Sequence, residues 1–361
     1  MPLSRPRLQI RLGAIAANYR TIVAHASGAA VGAAVKADAY GLGVEPVAQR
    51  LHAEGCRSFF VASVEEGIEL RQVLPDVEIA VFNGVLAGTA ADLIHHDLVP
   101  LVISAEQLDS WRLAASARDD ALPVGLHIDT GINRTGLQVE DARGIATASD
   151  VFAGLDVRHV LSHLASADDP GSGQPEQQLA RFLDVRAALP QGRASIANSA
   201  GTFRHSDFHL DLVRPGIALY GGAPTAGVAS PVRTVVTLEA PLLQIREVGP
   251  GDQVGYGATY TVTKPERHAV VPVGYADGYL RAASNRGAMA IGGHRAPIVG
   301  RVSMDLTVLD VTDVPRDALD AGVADVIGDD RSVDDVAADA GTISYEILTS
   351  LGRRYERVYI D

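Results

Sequence analysis

Lysine is nearly missing from this chain. Of its 31 basic residues only Lys36 and Lys264 are lysines, and the other 29 are arginines. Cysteine occurs once, as Cys56, which excludes an internal disulfide and fits a reducing cytoplasm. No run approaches the ~18 uninterrupted apolar residues of a membrane span. The N-terminal segment MPLSRPRLQIRL lacks the apolar stretch of a secretory signal. Positive charge is outnumbered by 44 acidic side chains, and the net charge of −13 argues against sequence-independent binding to nucleic-acid phosphates. What the chain does have is length and apolar content: 361 residues, 47% hydrophobic, enough for a well-cored protein of two domains or one large α/β barrel with an addition.

Alternation organises the first two-thirds. β-rich runs occur at 30–37, 58–63, 78–83, 98–103, 123–129, 156–164, 193–199 and 210–220. Between most of them lie segments such as VEPVAQRLHAEG, VEEGIELRQVL, AEQLDSWRLAASARD and PEQQLARFLDVRAAL, whose apolar residues recur at three- and four-residue steps. Consecutively apolar strands, each followed by a helix, indicate a parallel sheet covered on its outer face. Eight such units without a dinucleotide fingerprint favour a closed (β/α)8 TIM-type barrel over an open doubly wound sheet. After about residue 225 the texture changes to alternating β-branched residues broken by GPGD, YGATY, GGHRAP and DVTDVPRD, with little helical periodicity before DDVAADAGTISYEILTSLG. This reads as a mostly antiparallel C-terminal β domain. The expected division is 1–225 for the barrel and 226–361 for the β domain, with the first strand, about residues 6–12, open to pairing with the latter.

Barrels of this kind carry their active sites where the strands end. Lys36 closes the first run, Asp129 to Arg134 follow the fifth, His163 ends the sixth, Asn198 and Ser199 end the seventh, and Arg214 and Gly216 belong to the eighth. Lys36 stands in AAVKADAYGLG, where apolar neighbours disfavour the charged ammonium and make the amine a better nucleophile or base. A lysine snorkelling its head to the surface is the alternative, as a helix cap is for Asn198-Ser199. His95-His96 and His205-His209 lack further ligands at metal-site spacing, and DDRSVDDVAADA is a poor match to a calcium loop, so no metal site is expected.

The motifs together resemble a known family. VKADAYGLG (35–43), HIDTGINRTG (127–136), SHLASADD (162–169), ANSAGTF (197–203), RPGIALYG (214–221), VGYGATY (254–260), VPVGYADGY (271–279) and GRVSMD (300–305) resemble, in order and spacing, the motifs of the alanine racemases. The resemblance covers essentially the whole chain. It implies a pyridoxal 5′-phosphate barrel with a C-terminal β domain, acting as a cytoplasmic homodimer that supplies D-alanine for cell wall and shares its active sites between subunits. It implies that Lys36 binds the cofactor as an imine and serves the D-face proton of alanine, while Tyr256 of the second chain serves the L-face proton. A phenol of pKa ~10 is a poor base at neutral pH, which makes Arg134 and His163 candidates for a cationic network favouring its phenolate.

By the same resemblance, Arg214 faces the pyridine nitrogen and, being unable to accept its proton, leaves the ring unprotonated. Tyr40, Asn198, Ser199 and the amides of Gly216 and Ile217 correspond to the phosphate cup, with His163 also beside the cofactor. Arg134 and the Met304 backbone correspond to substrate-carboxylate contacts, and Tyr275, Arg301 and Asp305 to the pocket and its entrance. Three departures from the family pattern involve four positions: His127 where many members carry a carbamylated lysine, Ser303 with Leu306 around the Met-Asp pair, and Arg353 where some carry a tyrosine that reaches the phosphate. The rival readings are a broad-specificity or serine racemase on the same framework, and a pyridoxal-phosphate decarboxylase, which Cys56 in the barrel does not suit.

Overall fold

The computed structural model describes residues 3–26, 28–147 and 150–361; the first two residues of the N-terminal segment read above lie outside them. All eight β-rich runs become barrel strands. The first is split into Ala30–Val31 and Ala33–Ala34; the others are Ser58–Val61, Glu78–Val81, Val99–Val102, Leu122–Asp129, Leu155–Leu161, Arg193–Ser195 and Leu212–Val213. Neighbours pair in parallel from Ala33–Ala34 round to Arg193–Ser195. Closure is what separates a barrel from an open sheet. Leu212–Val213 pairs in parallel with Ala30–Val31, and the Asp211 and Arg214 amides donate to the carbonyls of Ala194 (3.1 Å) and Ala197 (2.9 Å).

Alternation along each strand sorts side chains to two faces. Phe59 joins the large core under the helices, whereas Phe60 joins Ala80, Val99, Leu101, Leu161 and Leu212 in a separate cluster inside the barrel. The four periodic segments form the helices Val44–Ala53, Val64–Val73, Ala105–Ser116 and Gln174–Arg186. Ser63 and Ser104 cap two of them by accepting from the amides of Glu66 and Gln107.

The rest of the chain is antiparallel-rich. A six-stranded sheet runs in the order His294–Pro297, Ala288–Ile291, Val323–Ile327, Val236–Pro241, Arg7–Arg11, Glu356–Ile360. The N-terminal strand thus sits inside the sheet of the other half, antiparallel to Val236–Pro241 and parallel to Glu356–Ile360. A second sheet joins Gln244–Val248, Glu266–Val271 and Thr307–Asp310, and Gln253–Val254 pairs with Tyr260–Thr261 as a hairpin. The short helix Arg316–Asp320 was not expected from DVPRDALD, because five residues are too few to show a period. The acidic run at 329–340 is a capped helix: Ser332 and Asp335 satisfy each other's amides at the start of Val333–Ala340. Among the described residues no helix is long and apolar enough to cross a membrane.

Candidate active site

Strand Ala33–Ala34 does not end in an ordinary turn. Ala37, Asp38, Ala39 and Tyr40 follow Lys36 with φ of 53°, 54°, 52° and 58°, four non-glycine residues in the left-handed region. Each costs roughly 1–2 kcal/mol relative to the right-handed form. The surroundings compensate with directed hydrogen bonds. Glu66 accepts from the Ala37 and Ala62 amides (2.8 and 2.7 Å), Asp38 Oδ1 accepts from Val44 N (2.6 Å), and the Asp38 carbonyl accepts from Gly43 N (2.9 Å). Strain held this firmly beside a reactive group is characteristic of functional sites.

The turn presents Lys36 Nζ 5.6 Å from the centre of the Phe82 ring. Burial, then the charge of Arg134, lowers its pKa from the ordinary lysine value, opposed in part by Glu66. Cations and imidazoles surround it. His163 is pushed well below the usual histidine range by burial, followed by Arg214, Arg134, His127 and Lys36. Burial, Arg214 and Arg134 lower His127 to about 3, against the attraction of Asp129. Both His127 ring nitrogens are buried without a hydrogen-bond partner. Arg214 is 4% exposed, and burial lowers its pKa to about 10. Its guanidinium donates to Ser162 O (2.6 Å) and Ser195 Oγ and has no carboxylate partner among the described residues.

Asp129 builds the loop that carries Arg134. Its Oδ1 accepts from the amides of Gly131, Ile132 and Asn133 (2.9, 3.0 and 3.1 Å), and its Oδ2 from Arg134 N (3.1 Å). On the adjoining strand ends Ser199 Oγ accepts from Gly216 N (2.9 Å) and Ala218 N (3.2 Å), while Asn198 caps the helix Ser199–Arg204 through Gly201 N. The Ile217 amide is not among the donors to Ser199; the neighbouring Ala218 amide is. Gly216 lies so close to Tyr40 that a Cβ there would meet the phenol oxygen at 2.1 Å, so the close approach itself requires glycine. Tyr40 stacks on Tyr220 (4.6 Å) and lies near Tyr345 (5.8 Å). Lys36, Tyr40, Arg134, His163, Asn198, Ser199, Arg214, Gly216 and Ile217 therefore all lie at the barrel's strand ends.

The remaining candidates lie elsewhere, on the C-terminal half. Tyr256 is 74% exposed at the tip of the Gln253–Thr261 hairpin, in a cavity of about 240 Å³ lined also by Tyr275, Arg281, Arg301, Val302 and Ser303. Tyr275 N donates to Ser303 O and Ala276 N to Met304 O (both 3.0 Å), so these two loops are stitched together. The Met304 amide makes no hydrogen bond among the described residues, and Met304 is exposed. Asp305 is held by Arg354, which also pairs with Asp277. No hydrogen bond or ion pair among the described residues joins Tyr256 to the Lys36 cluster.

Four residues of the barrel site escaped the sequence: Glu66, Phe82, Tyr220 and Tyr345. Glu66 reads as one more acidic residue in the first turn of a helix, and Phe82 and Tyr220 as strand apolars. Tyr345, in helix Ser344–Ser350, reads as part of an ordinary amphipathic segment. None carried a local signal. Of the two histidine pairs, the second is structural: His209 Nε2 bonds Thr202 O (2.8 Å) and His205 caps the turn at Ser206–Phe208.

Residues 10–224 match the alanine racemase N-terminal domain and residues 235–359 the alanine racemase C-terminal domain. The chain is 46% identical to the alanine racemase of Methylobacterium sp. (strain 4-46) over 98% of both. To the biosynthetic alanine racemase of Agrobacterium fabrum (strain C58 / ATCC 33970) it is 44% identical over 98% of this chain and 93% of the relative. The crystal structure of alanine racemase from Bartonella henselae, with covalently bound pyridoxal phosphate, superposes with a TM-score of 0.94 at 38% identity, covering 99% of this chain and 100% of that one. Matched in both halves and in fold, the chain belongs to the alanine racemase family.

Proposed function

We propose that this protein interconverts L-alanine and D-alanine with pyridoxal 5′-phosphate held at Lys36. The observation that carries this is the strained left-handed turn that presents a pKa-lowered amine beside a ready anion cup. The residues present fit the cofactor. Ser199 Oγ, the Gly216 amide and the Ile217 amide, which has no acceptor among the described residues, lie beside the Tyr40 phenol and Asn198, a donor set suited to phosphate, and Gly216 lets the Tyr40 hydroxyl come close. When bound, pyridoxal phosphate accepts the electron pair left by a departing α-proton.

The chain's own groups do the rest. Lys36, uncharged more readily than an exposed lysine, takes and returns the proton on the D face. Arg214, cationic and unable to accept a proton, would leave a pyridine nitrogen set against it unprotonated. Arg134, fixed by Asp129, binds the substrate carboxylate. His163, kept neutral by burial and then by the surrounding positive charge, cannot join the cationic network expected around Tyr256 and would instead lie beside the cofactor.

Inversion needs a second group on the opposite face. In the barrel cluster burial raises the pKa of the Tyr40, Tyr220 and Tyr345 phenols and lowers that of the His127 and His163 imidazoles, which makes each a poor proton acceptor at neutral pH. Tyr256 of a second copy fills that role, with that copy's Met304 amide on the carboxylate and its Tyr275, Arg301 and Asp305 at the entrance. The support is their joint exposure on one face of the C-terminal half. The working unit is therefore a homodimer with two composite sites, its barrel domain being residues 1–225 apart from the strand Arg7–Arg11, which pairs with the β domain, 226–361. A cytoplasmic location and a role in supplying D-alanine to cell wall accompany this reading; the buried free thiol of Cys56 is consistent with a reducing compartment.

The deciding measurement is an amino-acid screen in deuterated buffer, following circular dichroism and α-deuterium incorporation. Racemisation of alanine, with serine slower, is expected. Protein that shows the bound-cofactor absorption band yet leaves alanine unchanged would refute the proposal.

A further inference from the structure

The second base needs a fixed seat as much as the first, and Tyr256 stands on a two-residue-deep hairpin with glycine on either side of it. The second arm of that hairpin is tied down at its start by Asn285, which donates to Thr259 Oγ1 (3.1 Å) and accepts from Gly300 N (2.6 Å). The next residue on the same arm is Tyr260. Its ring packs beside Val254, Val262 and Val299, and its hydroxyl donates to both oxygens of Glu266 (3.0 Å each). Glu266 is 3% exposed and also bonds His268 Nε2 at 2.8 Å. His268, 1% exposed, faces Asp310 across the sheet, and an oxygen of Asp310 lies within 4.8 Å of the Glu266 and His268 ligand atoms.

This buried chain is placed where it matters. Glu266 and His268 lie on the strand that runs directly into Val273, Gly274 and Tyr275, and Asp310 on the strand that begins just after Met304 to Leu306. A carboxylate out of water is worth retaining only when its lone pairs are met; here they are directed at the hairpin on one side and at the sheet on the other.

We propose that Tyr260, Glu266 and His268 are positioning residues that lock the Tyr256 hairpin to the sheet from which the Tyr275 and Met304 loops emerge. This rests on the racemase reading above. Although Glu266, His268 and Asp310 are also the one set of potential metal ligands among the described residues, their polar atoms are already directed at one another, at Tyr260 and, for Asp310, at Thr312.

The test is Tyr260→Phe, which keeps the ring in its valine cluster and removes only the hydroxyl, with Glu266→Gln as a second variant. kcat/KM is expected to fall roughly tenfold to a hundredfold, the scale of a small misplacement of a reacting group. The isotope effects identify the step. With α-deuterated L-alanine, whose proton Tyr256 removes, the primary effect on kcat/KM should rise; with α-deuterated D-alanine it should fall toward one. Hydrogen exchange of the 255–258 amides should quicken in both variants. Unchanged rates and exchange would overturn the proposal, as would a loss of activity with no change in the ratio of the two isotope effects. Activity lost on dialysis against a chelator and restored by zinc would overturn it in favour of a metal site. If the parent protein racemises no alanine, the functional reading fails, while amide exchange still tests the lock by itself.

Discussion

At the barrel rim Arg214, His127 and Ser199 are buried and Lys36 half-buried, whereas on the C-terminal face Tyr256, Tyr275 and Met304 are 74%, 43% and 53% exposed. The two regions use the same materials, loops at strand ends stabilised by backbone hydrogen bonds, for opposite ends. The rim turns its reactive groups inward, where low dielectric and neighbouring cations lower the pKa values of Lys36, His163 and His127. The C-terminal face holds its groups outward, and large aromatic side chains left in water together are the mark of a surface awaiting a partner. On the proposed reading, one half of the reaction is prepared within the fold and the other on a surface offered to a second copy.

The largest expected effect breaks the inward half. Lys36→Ala should remove the bound-cofactor absorption band and lower racemisation on the order of 10⁴-fold, since both the anchor and a base are lost; retained activity would detach the strained turn from catalysis. Tyr256→Phe should keep the band and still cost roughly 10²–10⁴-fold. Mixing the two inactive variants under conditions of subunit exchange sharpens the contrast. Random pairing leaves about a quarter of the sites intact in a twofold dimer, so partial recovery is expected, and none despite proven exchange would place both bases in one chain.

A smaller effect concerns the loop under Arg134. Asp129→Ala leaves four amides without their acceptor and should cost about 3 kcal/mol in urea unfolding, with KM for alanine raised. The smallest concerns His127. Because its folded pKa is about 3 against 6.5, the unfolded chain binds a proton between those values that the folded chain refuses. Stability is therefore lost as pH falls from 6.5 toward 3, by a few kcal/mol at most from this group. His127→Leu, which breaks no hydrogen bond, should flatten that slope relative to the parent. An unchanged pH dependence of the urea midpoint would refute the assignment.

Much of this was legible before any coordinates. Consecutively apolar runs and amphipathic spacers put eight strands and their helices in place, because a covered parallel sheet can be written in few other patterns. Lys36 was legible through its setting: in a chain with two lysines, the one among apolar residues at a strand end is conspicuous, while Lys264 in TKPER is not. The rest is missing from the sequence for a reason that can be stated residue by residue. Glu66 meets the Lys36 turn from 29 residues away, Tyr345 reaches Tyr40 from the far end of the chain, and the Glu266 chain joins elements that share no local pattern. Side chains at such separations meet only after the fold has formed.

The sequence by itself determined the strand and helix order, the family, and the residue types at each strand end, since periodicity and motif spacing are local properties. Only the tertiary structure decided that the sheet closes, that the N-terminal strand lies in the C-terminal sheet, and that Ala37–Tyr40 are held in the left-handed region. Those depend on hydrogen bonds between distant segments, whose energies no local stretch of sequence contains. The scarce lysine owes its lowered pKa to that difference: the sequence places an amine there, and the fold buries it and brings the Arg134 cation near.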